Sequence, residues 1–142
     1  MAATTLKAIM DRFQVVLRAT PLNLTETKEP FSHDRSPNTV IDTAFRLEDG
    51  GIISSRPVGA NQYVRVDRIT VFLAKKLAFN AQTSVETLET TLNTIERYIL
   101  DDDADNSYHA SVENRRVTRL PKSDIAVGSL VFAVDFDYSA SV

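Results

Sequence analysis

The sequence predicts an α+β fold: a single domain over residues 1–142 with the element order α-β-β-α-β-β. In two segments apolar residues recur every three to four positions, which is typical of amphipathic helices. In the segments that follow them apolar and polar residues alternate, which is typical of half-buried strands. Paired strands with helices between them favour a mixed or antiparallel sheet with the two helices packed on it.

Size and composition fit one globular domain and exclude several kinds of site. The chain has 142 residues, 43% hydrophobic and 25% charged, which is enough for one core and too little for two. It has no cysteine, which excludes disulfides, thiolate zinc sites and thiol nucleophiles. A net charge of −3 argues against a protein that coats nucleic acid. Composition therefore indicates a soluble domain and no particular activity.

No targeting or membrane segment is predicted. Residues 1–12 include Lys7, Asp11 and Arg12 and lack the apolar stretch of a signal peptide. The longest strongly apolar run, Ile69–Ala74, is far shorter than the ~20 residues of a membrane-spanning helix. We therefore expect no membrane partner and a protein made and kept in a cytoplasm, from which it can leave inside a particle.

The first predicted helix starts at Thr4 or Thr5, either of which can cap it, and ends near Arg18 because Pro21 stops it. Its apolar stripe consists of Leu6, Ile9, Met10, Phe13, Val16 and Leu17. Residues 21–37 follow with three prolines and scattered charges without a period. We expect this segment to be a surface connection.

The first predicted strand covers residues 38–48, where apolar and polar residues alternate. The pair Gly50–Gly51 and a further proline and glycine follow it. Residues 49–61 are therefore predicted to be a long mobile loop, with room for a short extended piece around Ile52–Ile53. Loops of this length in compact domains are often binding elements.

The second predicted strand, residues 62–77, changes phase along its length. Its apolar residues fall at even positions up to Val66 and at odd positions from Ile69. Because a strand has a period of two, the change predicts a bulge or a switch of packing environment near Asp67–Arg68. The strand exceeds the usual length of roughly 3–10 residues, so we expect one end to project beyond the domain body.

The second predicted helix begins with a capping box, in which the Thr83 hydroxyl and the Glu86 carboxylate bind reciprocal backbone amides. It ends in an acidic turn over residues 101–106. Strands are predicted at 108–120 and 127–138, with a turn at 121–124 between them. The apolar faces are Val85, Leu88, Leu92, Ile95 and Ile99 for the helix, and Leu130, Phe132, Val134, Phe136 and Tyr138 for the last strand.

The acidic turn has the spacing that opens an EF-hand calcium loop. Asp101, Asp103 and Asp105 alternate as that loop requires. Asn106 and Val112, however, stand where the loop needs glycine and glutamate. The pattern therefore favours a solvated or partner-facing turn over a metal site.

Two further constellations contain residue types used in catalysis. Ser32-His33-Asp34 has the residues of a triad, but adjacent residues cannot orient one another as triad members do, which favours a surface loop. Asp135 and Asp137 share one strand face. Such a pair can do acid–base work or form a solvent-facing or interface edge. We predict no catalytic, cofactor-binding or metal-binding residue.

Charge is concentrated in two adjacent blocks of opposite sign. Residues 49–82 carry five basic against two acidic residues, and residues 83–106 carry one basic against seven acidic residues. The blocks can be solvated faces of a monomer or pair within it, or they can meet across a head-to-tail interface between copies, since complementary patches generate rings. The candidate interface residues are Arg65, Arg68, Lys75, Lys76, Asp101, Asp102, Asp103 and Asp105.

The chain resembles the tail terminator, or tail completion, proteins of long-tailed bacteriophages. The resemblance lies in the order of elements, the small size, the long central hairpin strand and the closing strand Val131-Phe132-Ala133-Val134-Asp135-Phe136. It covers nearly the whole chain and rests on pattern rather than on a motif, and the Pro-rich stretch 21–37 departs from it. Proteins of this family form a hexameric ring that caps the completed tail tube and then joins the tail to the DNA-filled head.

The resemblance implies a virion structural protein with no catalytic residue and no cofactor. Its partners would be further copies in a hexameric ring, the tail tube protein and head–tail connector proteins, with DNA passing through the lumen without sequence-specific binding. Gly50, Gly51 and Arg56 in the predicted loop would face a partner ring. The protein would be assembled in the host cytoplasm and located in the virion tail or neck. The alternatives are a head-completion or connector-stopper ring protein of the phage neck, and a small α+β enzyme or ligand-binding domain.

Overall fold

The computed structural model describes residues 4–19, 22–27, 31, 44–76, 81–102, 108–119 and 125–139, with only the backbone of residues 81–84. These residues form two helices and one five-stranded mixed sheet, so the predicted α+β class is confirmed. The order is roughly the predicted one with a short strand added after the first helix. The elements are α1 (Leu6–Arg18), β1 (Thr25–Glu26), β2 (Ala44–Gly59), β3 (Gln62–Lys76), α2 (Ala81–Asp101), β4 (Tyr108–Arg119) and β5 (Ile125–Ser139).

The strands lie in the order β1-β2-β3-β5-β4. β2 and β4 flank the central pair β3–β5, and these neighbours are all antiparallel. The central pair keeps one register without a shift, from Gln62 opposite Ser139 to Lys76 opposite Ile125. β1 adds two residues in parallel beside Ala44. The longest uninterrupted ladder therefore runs through the middle of the sheet.

Both helices pack on one face of the sheet. The Phe13 ring of α1 meets the Phe132 ring of β5 edge-on, with centroids 5.5 Å apart. The predicted apolar faces of both helices and of the last strand are confirmed by their burial. The core includes Ile9, Phe13 and Leu17 of α1, Leu88, Leu92, Ile95 and Ile99 of α2, and Leu130, Phe132, Val134 and Phe136 of β5.

A second, smaller hydrophobic cluster lies on the sheet face away from the helices. Phe72 and Ala74 of β3 alternate with the core residues Val71 and Leu73, so they lie on the other face. Phe31 packs there with its ring centroid 6.1 Å from that of Phe72. The prediction that residues 21–37 form only a surface connection is therefore wrong: Phe31 is buried, and so is Leu24 beside β1. The described part of this segment contributes to the core at both points.

Of the two predicted helix caps, the first is confirmed and the second is wrong. The cap of α1 is confirmed at Thr5, whose hydroxyl accepts a hydrogen bond of 3.2 Å from the Ala8 amide. The predicted start of α2 is wrong, because the helix begins at Ala81 and Thr83 lies within its first turn. Residues 38–43, the triad-like sequence at 32–34 and the turn at 121–124 lie outside the described residues.

The prediction of a loop over residues 49–61 is also wrong. β2 continues through this segment to Gly59, and the chain turns at Ala60 and Asn61, where Asn61 has φ 59°. Three register shifts relative to β3 accommodate the irregular residues, the first at Gly50. A Cβ there would lie 2.7 Å from the Arg68 Cβ, so the close strand approach requires glycine. Proline is tolerated at position 57 because no described strand pairs with the outer edge of β2 there.

The phase change predicted in β3 has its cause in the neighbouring strand. The β2–β3 register shifts where Gly51 pairs with Arg68 and Ile52 pairs with Asp67, while β3 itself stays in register with β5. Along the core face of β3 the apolar residues give way to Asp67 and then Arg65. The predicted switch of packing environment is thus confirmed, and the bulges lie in β2.

Candidate functional site

The outer part of the β2–β3 hairpin, residues 48–62, is exposed at every residue. We call it the outer hairpin. Its large apolar side chains are unusually open: Ile52 is 57% exposed, Ile53 40% and Val58 52%. Exposed apolar side chains that gather on one element of a small domain are candidates for an interaction site.

The edge of the outer hairpin is poorly suited to pairing with another strand. Within the described chain, β1 covers the outer edge of β2 only at Ala44 and Phe45. The rest of that edge carries the three register shifts and Pro57, which lacks an amide hydrogen. Bulges and proline are features that keep exposed edges from adding strands. The side chains of the outer hairpin, rather than its backbone, are therefore the means by which it can bind.

A buried ion pair lies where the outer hairpin joins the core. Arg65 donates to both carboxylate oxygens of Asp67, with Nη2–Oδ2 at 2.7 Å and Nε–Oδ1 at 3.3 Å. The guanidinium also lies over two rings of β5, 5.6 Å from the Phe136 centroid and 5.0 Å from that of Tyr138. Burial raises the pKa of the Asp67 carboxyl above its ordinary value, and the Arg65 bond and charge oppose that shift.

The remaining basic candidates lie in two different places. Arg68 donates to Glu113 of β4 at 2.9 Å, across β5, where Ala133 is its register partner. Lys75 and Lys76 lie at the far end of β3, roughly 33–36 Å from Arg65 for an extended strand. The basic residues of the sequence block therefore do not form one patch.

The acidic end of α2 is bound to α1. Asp102 accepts two hydrogen bonds from Arg12, of 2.7 and 2.6 Å, and Tyr108 donates to its backbone oxygen at 3.3 Å. Arg12 thereby offsets the negative charge that Asp102 adds at a helix C-terminus. Asp101 is exposed, and Asp103 and Asp105 lie outside the described residues. The predicted interface between copies stays a prediction.

A groove of about 240 Å³ separates α1 from the end of α2. Its apolar lining includes Val15, which is 54% exposed. Its charged lining consists of the Arg12–Asp102 pair and Asp101. We call this the helical groove; its lining is Arg12, Val15, Val16, Ala19, Tyr98, Asp101 and Asp102.

A second cavity, of about 220 Å³, lies between α1, β1 and β2. Its carboxylate, Glu26, already accepts from Gln14 at 2.8 Å and from Arg18 at 2.5 Å. Arg46 on its wall donates to the Phe31 backbone oxygen at 3.2 Å. The two bonds to Glu26 join α1 to the sheet, so the polar groups that line this cavity already have partners in the chain.

The carboxylates of Asp135 and Asp137 lie on the sheet face opposite the helices, as the alternation predicts. His109 of β4 is the register partner of Asp135. Among the described residues no group of three or more His, Asp or Glu side chains is arranged to hold a metal ion. The acid–base possibility for this pair stays a prediction.

No protein-family model and no curated protein matches this sequence. Of the two helices that the structure describes, neither combines the length and hydrophobicity needed to cross a membrane.

Sequence reasoning missed two features of these surfaces. The Arg12–Asp102 pair joins residues that are 90 positions apart, and no local sequence pattern predicts it. The exposure of Val15 depends on how α1 and α2 approach each other, which an isolated apolar stripe does not show. The Arg65–Asp67 pair had a usable signal, because residues two apart in a strand share a face.

Proposed function

We propose that this protein is a virion structural protein of a long-tailed bacteriophage, forming a ring that caps the tail tube and joins the tail to the head connector. The proposal rests on the resemblance to tail terminator proteins and on an α+β fold of the expected size, whose order of elements roughly matches the expected one. It gives the protein a role in assembly rather than a reaction.

The observation that carries the proposal is the outer hairpin. Its backbone pairs with β3 as a strand with three register shifts, yet Ile52, Ile53 and Val58 are exposed instead of buried in the core. These side chains are already exposed in the folded monomer, so a partner can cover them without disturbing the core. Burying them would stabilise the complex by about 25 cal/mol per Å² of apolar surface. A protein that works by stacking and plugging requires such a surface.

The proposed ring requires two different contact surfaces on each chain. The outer hairpin and the helical groove are two such surfaces, and contacts between unlike surfaces form a ring when the rotation between neighbours closes. In the proposed hexamer, ring faces meet the tail tube protein on one side and connector proteins on the other, and DNA passes through the lumen without sequence-specific binding. The ring would be assembled in the host cytoplasm and remain in the virion tail or neck.

Electron microscopy of the purified protein tests this proposal. We expect six-fold rings with a central opening, and rings bound to one end of tubes assembled from the same phage's tail tube protein. Rings that bind the head connector and ignore the tubes would instead identify a connector-stopper protein of the neck. Single globular particles at all concentrations would contradict both and favour the small enzyme or ligand-binding domain.

A further inference from the structure

The two long outer strands of the sheet differ in how regular their free sides are. The outer side of β2 carries three register shifts and Pro57. β4, in contrast, keeps one register with β5 from Asn114 to Arg119, and β5 is the only described strand that pairs with it. We call residues 114–119, with their free side, the β4 edge. A straight free edge presents backbone groups that can pair with a further strand.

The outward backbone groups of the β4 edge can be assigned. The Arg115 amide donates to the Asn114 side-chain oxygen at 2.8 Å, so it faces away from β5. Because backbone groups alternate in direction along a strand, the amides and carbonyls of Val117 and Arg119 also face outward. Within the described part of the chain, nothing bonds to the outward amides of Val117 and Arg119.

The two faces of the β4 edge differ in chemistry. Val117 lies on the helix face and packs partly buried against the core. Arg116 lies on the opposite face, and both it and Arg119 are exposed. No described residue forms an ion pair or hydrogen bond with either of these guanidiniums, whereas Arg115 is bonded to Asn93 of α2. An added strand would therefore meet an apolar neighbour on one face and a free cation on the other.

The charge of the β4 edge selects among possible strands. Residues 114–119 contain three arginines and no acidic residue. Two β4 edges from two copies would bring these arginines together, which disfavours pairing between copies at this edge. The same arginines attract a strand that carries carboxylates, and a guanidinium binds a carboxylate through two parallel hydrogen bonds. The edge thus combines repulsion of one kind of strand with attraction of another.

We propose that the β4 edge binds an extended segment of a partner protein in which acidic and apolar residues alternate. The segment adds a strand to the sheet by pairing with the outward backbone groups of Val117 and Arg119. Its apolar side chains lie beside Val117, and its carboxylates lie on the opposite face beside Arg116. The inference goes beyond the proposed ring and does not depend on it.

A fluorescent peptide of about seven residues, in which glutamate alternates with valine, serves as the probe. Its control carries lysine in place of every glutamate. In an anisotropy titration of the wild-type protein, we expect the acidic peptide to bind at least about tenfold more tightly than the basic one. Raising the salt concentration to about 1 M should reduce this preference, because the charges are exposed.

Two kinds of variant locate the binding on the β4 edge. Val117→Pro removes an outward amide and should weaken binding of the acidic peptide at least about tenfold. Its matched control, Val117→Ala, also shortens the side chain but keeps the amide, and should stay within about threefold of wild type. Arg116→Glu changes an exposed side chain and should reverse the preference toward the basic peptide. Circular dichroism checks the folding of each variant, and Arg116→Glu decides if Val117→Pro does not fold.

The other occupants give different results. Equal affinity for both peptides, no binding of the acidic peptide at about 1 mM, or full binding by folded Val117→Pro overturns the proposal. Duplex DNA that binds equally well to Val117→Pro, with no peptide binding, would show that the arginines contact phosphates and overturns it too. Self-association that Val117→Pro abolishes, again without peptide binding, would make a second copy the occupant and also overturns it. A monomeric wild type that binds the acidic peptide supports this proposal while contradicting the ring.

Discussion

The two halves of the β2–β3 hairpin share one ladder of hydrogen bonds and differ in what covers them. In the inner half, Phe45 pairs with Leu73, and both are fully buried under the helices. In the outer half, residues 48–62 are all exposed and carry three apolar side chains into solvent. Backbone pairing is thus sufficient to define the strand, whereas only the inner half contributes to a core. We propose that the inner half serves folding and the outer half serves assembly.

Truncating a core side chain should have the largest effect. Phe132→Ala removes a fully buried ring that packs on Phe13, and should lower the free energy of unfolding by about 3–5 kcal/mol. Ile53→Ala in the outer hairpin should change it by about 1 kcal/mol or less, since this side chain is 40% exposed and lies outside the core cluster. Urea denaturation of both variants measures the contrast. A loss below about 1 kcal/mol for Phe132→Ala would show that this face is not the core.

Adding a methyl group should also distinguish the core from the outer hairpin. A Cβ at Gly128 would lie 2.7 Å from Leu92 Cδ1 and 3.3 Å from Leu92 Cγ in the core, so Gly128→Ala should cost about 1–3 kcal/mol. At Gly59, near the hairpin turn, the nearest atom is Gln62 Oε1 at 3.5 Å, and Gly59→Ala should stay within about 0.5 kcal/mol of wild type. Melting temperatures measured by calorimetry will compare them. Equal losses would mean that the turn is as tightly packed as the core.

The two carboxylates at the end of α2 should behave differently. Asp102→Asn breaks the pair with Arg12, and because Arg12 is partly exposed we expect a loss of about 1 kcal/mol. Asp101→Asn should leave the monomer unchanged or more stable by a few tenths of a kcal/mol, since it removes a negative charge from a helix C-terminus. Chemical denaturation of the monomer tests this, and the reverse ranking would contradict the assigned ion pair. Only Asp101→Asn is then suited to testing assembly.

The junction between the halves should show a small pH dependence. Because burial raises the pKa of Asp67 in the folded state, the folded protein binds its proton more tightly than the unfolded chain does. The stability of wild type relative to Asp67→Asn should therefore increase as pH falls from 7 through the raised pKa, and level off below the unfolded value of about 3.9. Paired denaturation curves across this range measure it. A difference that is independent of pH would contradict the raised pKa.

Local pattern predicted the parts of the fold that local physics determines. The Thr5 cap and the alternation of β5 depend on neighbouring residues, and both agree with the structure. The strand over residues 49–59 was mistaken for a loop because glycine and proline usually end strands, whereas here an open edge accommodates them with bulges. β1 escaped detection because two residues cannot show a period.

The candidate site was harder to predict because its groups come together only through packing. The charge blocks include Arg56 and Asp101, which are exposed, but their separation in the sequence does not indicate that Arg12 binds Asp102. Arg65 and Arg68 were predicted for an interface, and the structure pairs each with a carboxylate of its own chain. The groove depends on the spacing of two helices, which no single segment encodes.

Sedimentation velocity of wild type and Ile53→Asp tests most directly whether the outer half of the hairpin serves assembly rather than folding. We predict that wild type sediments as a ring of roughly six times the 15.8 kDa chain mass, while Ile53→Asp sediments as a monomer. The variant should retain the wild-type free energy of unfolding of the monomer to within about 0.5 kcal/mol, because residue 53 lies outside the core. A wild type that is monomeric at every concentration, or a variant that assembles as wild type does, would contradict the account.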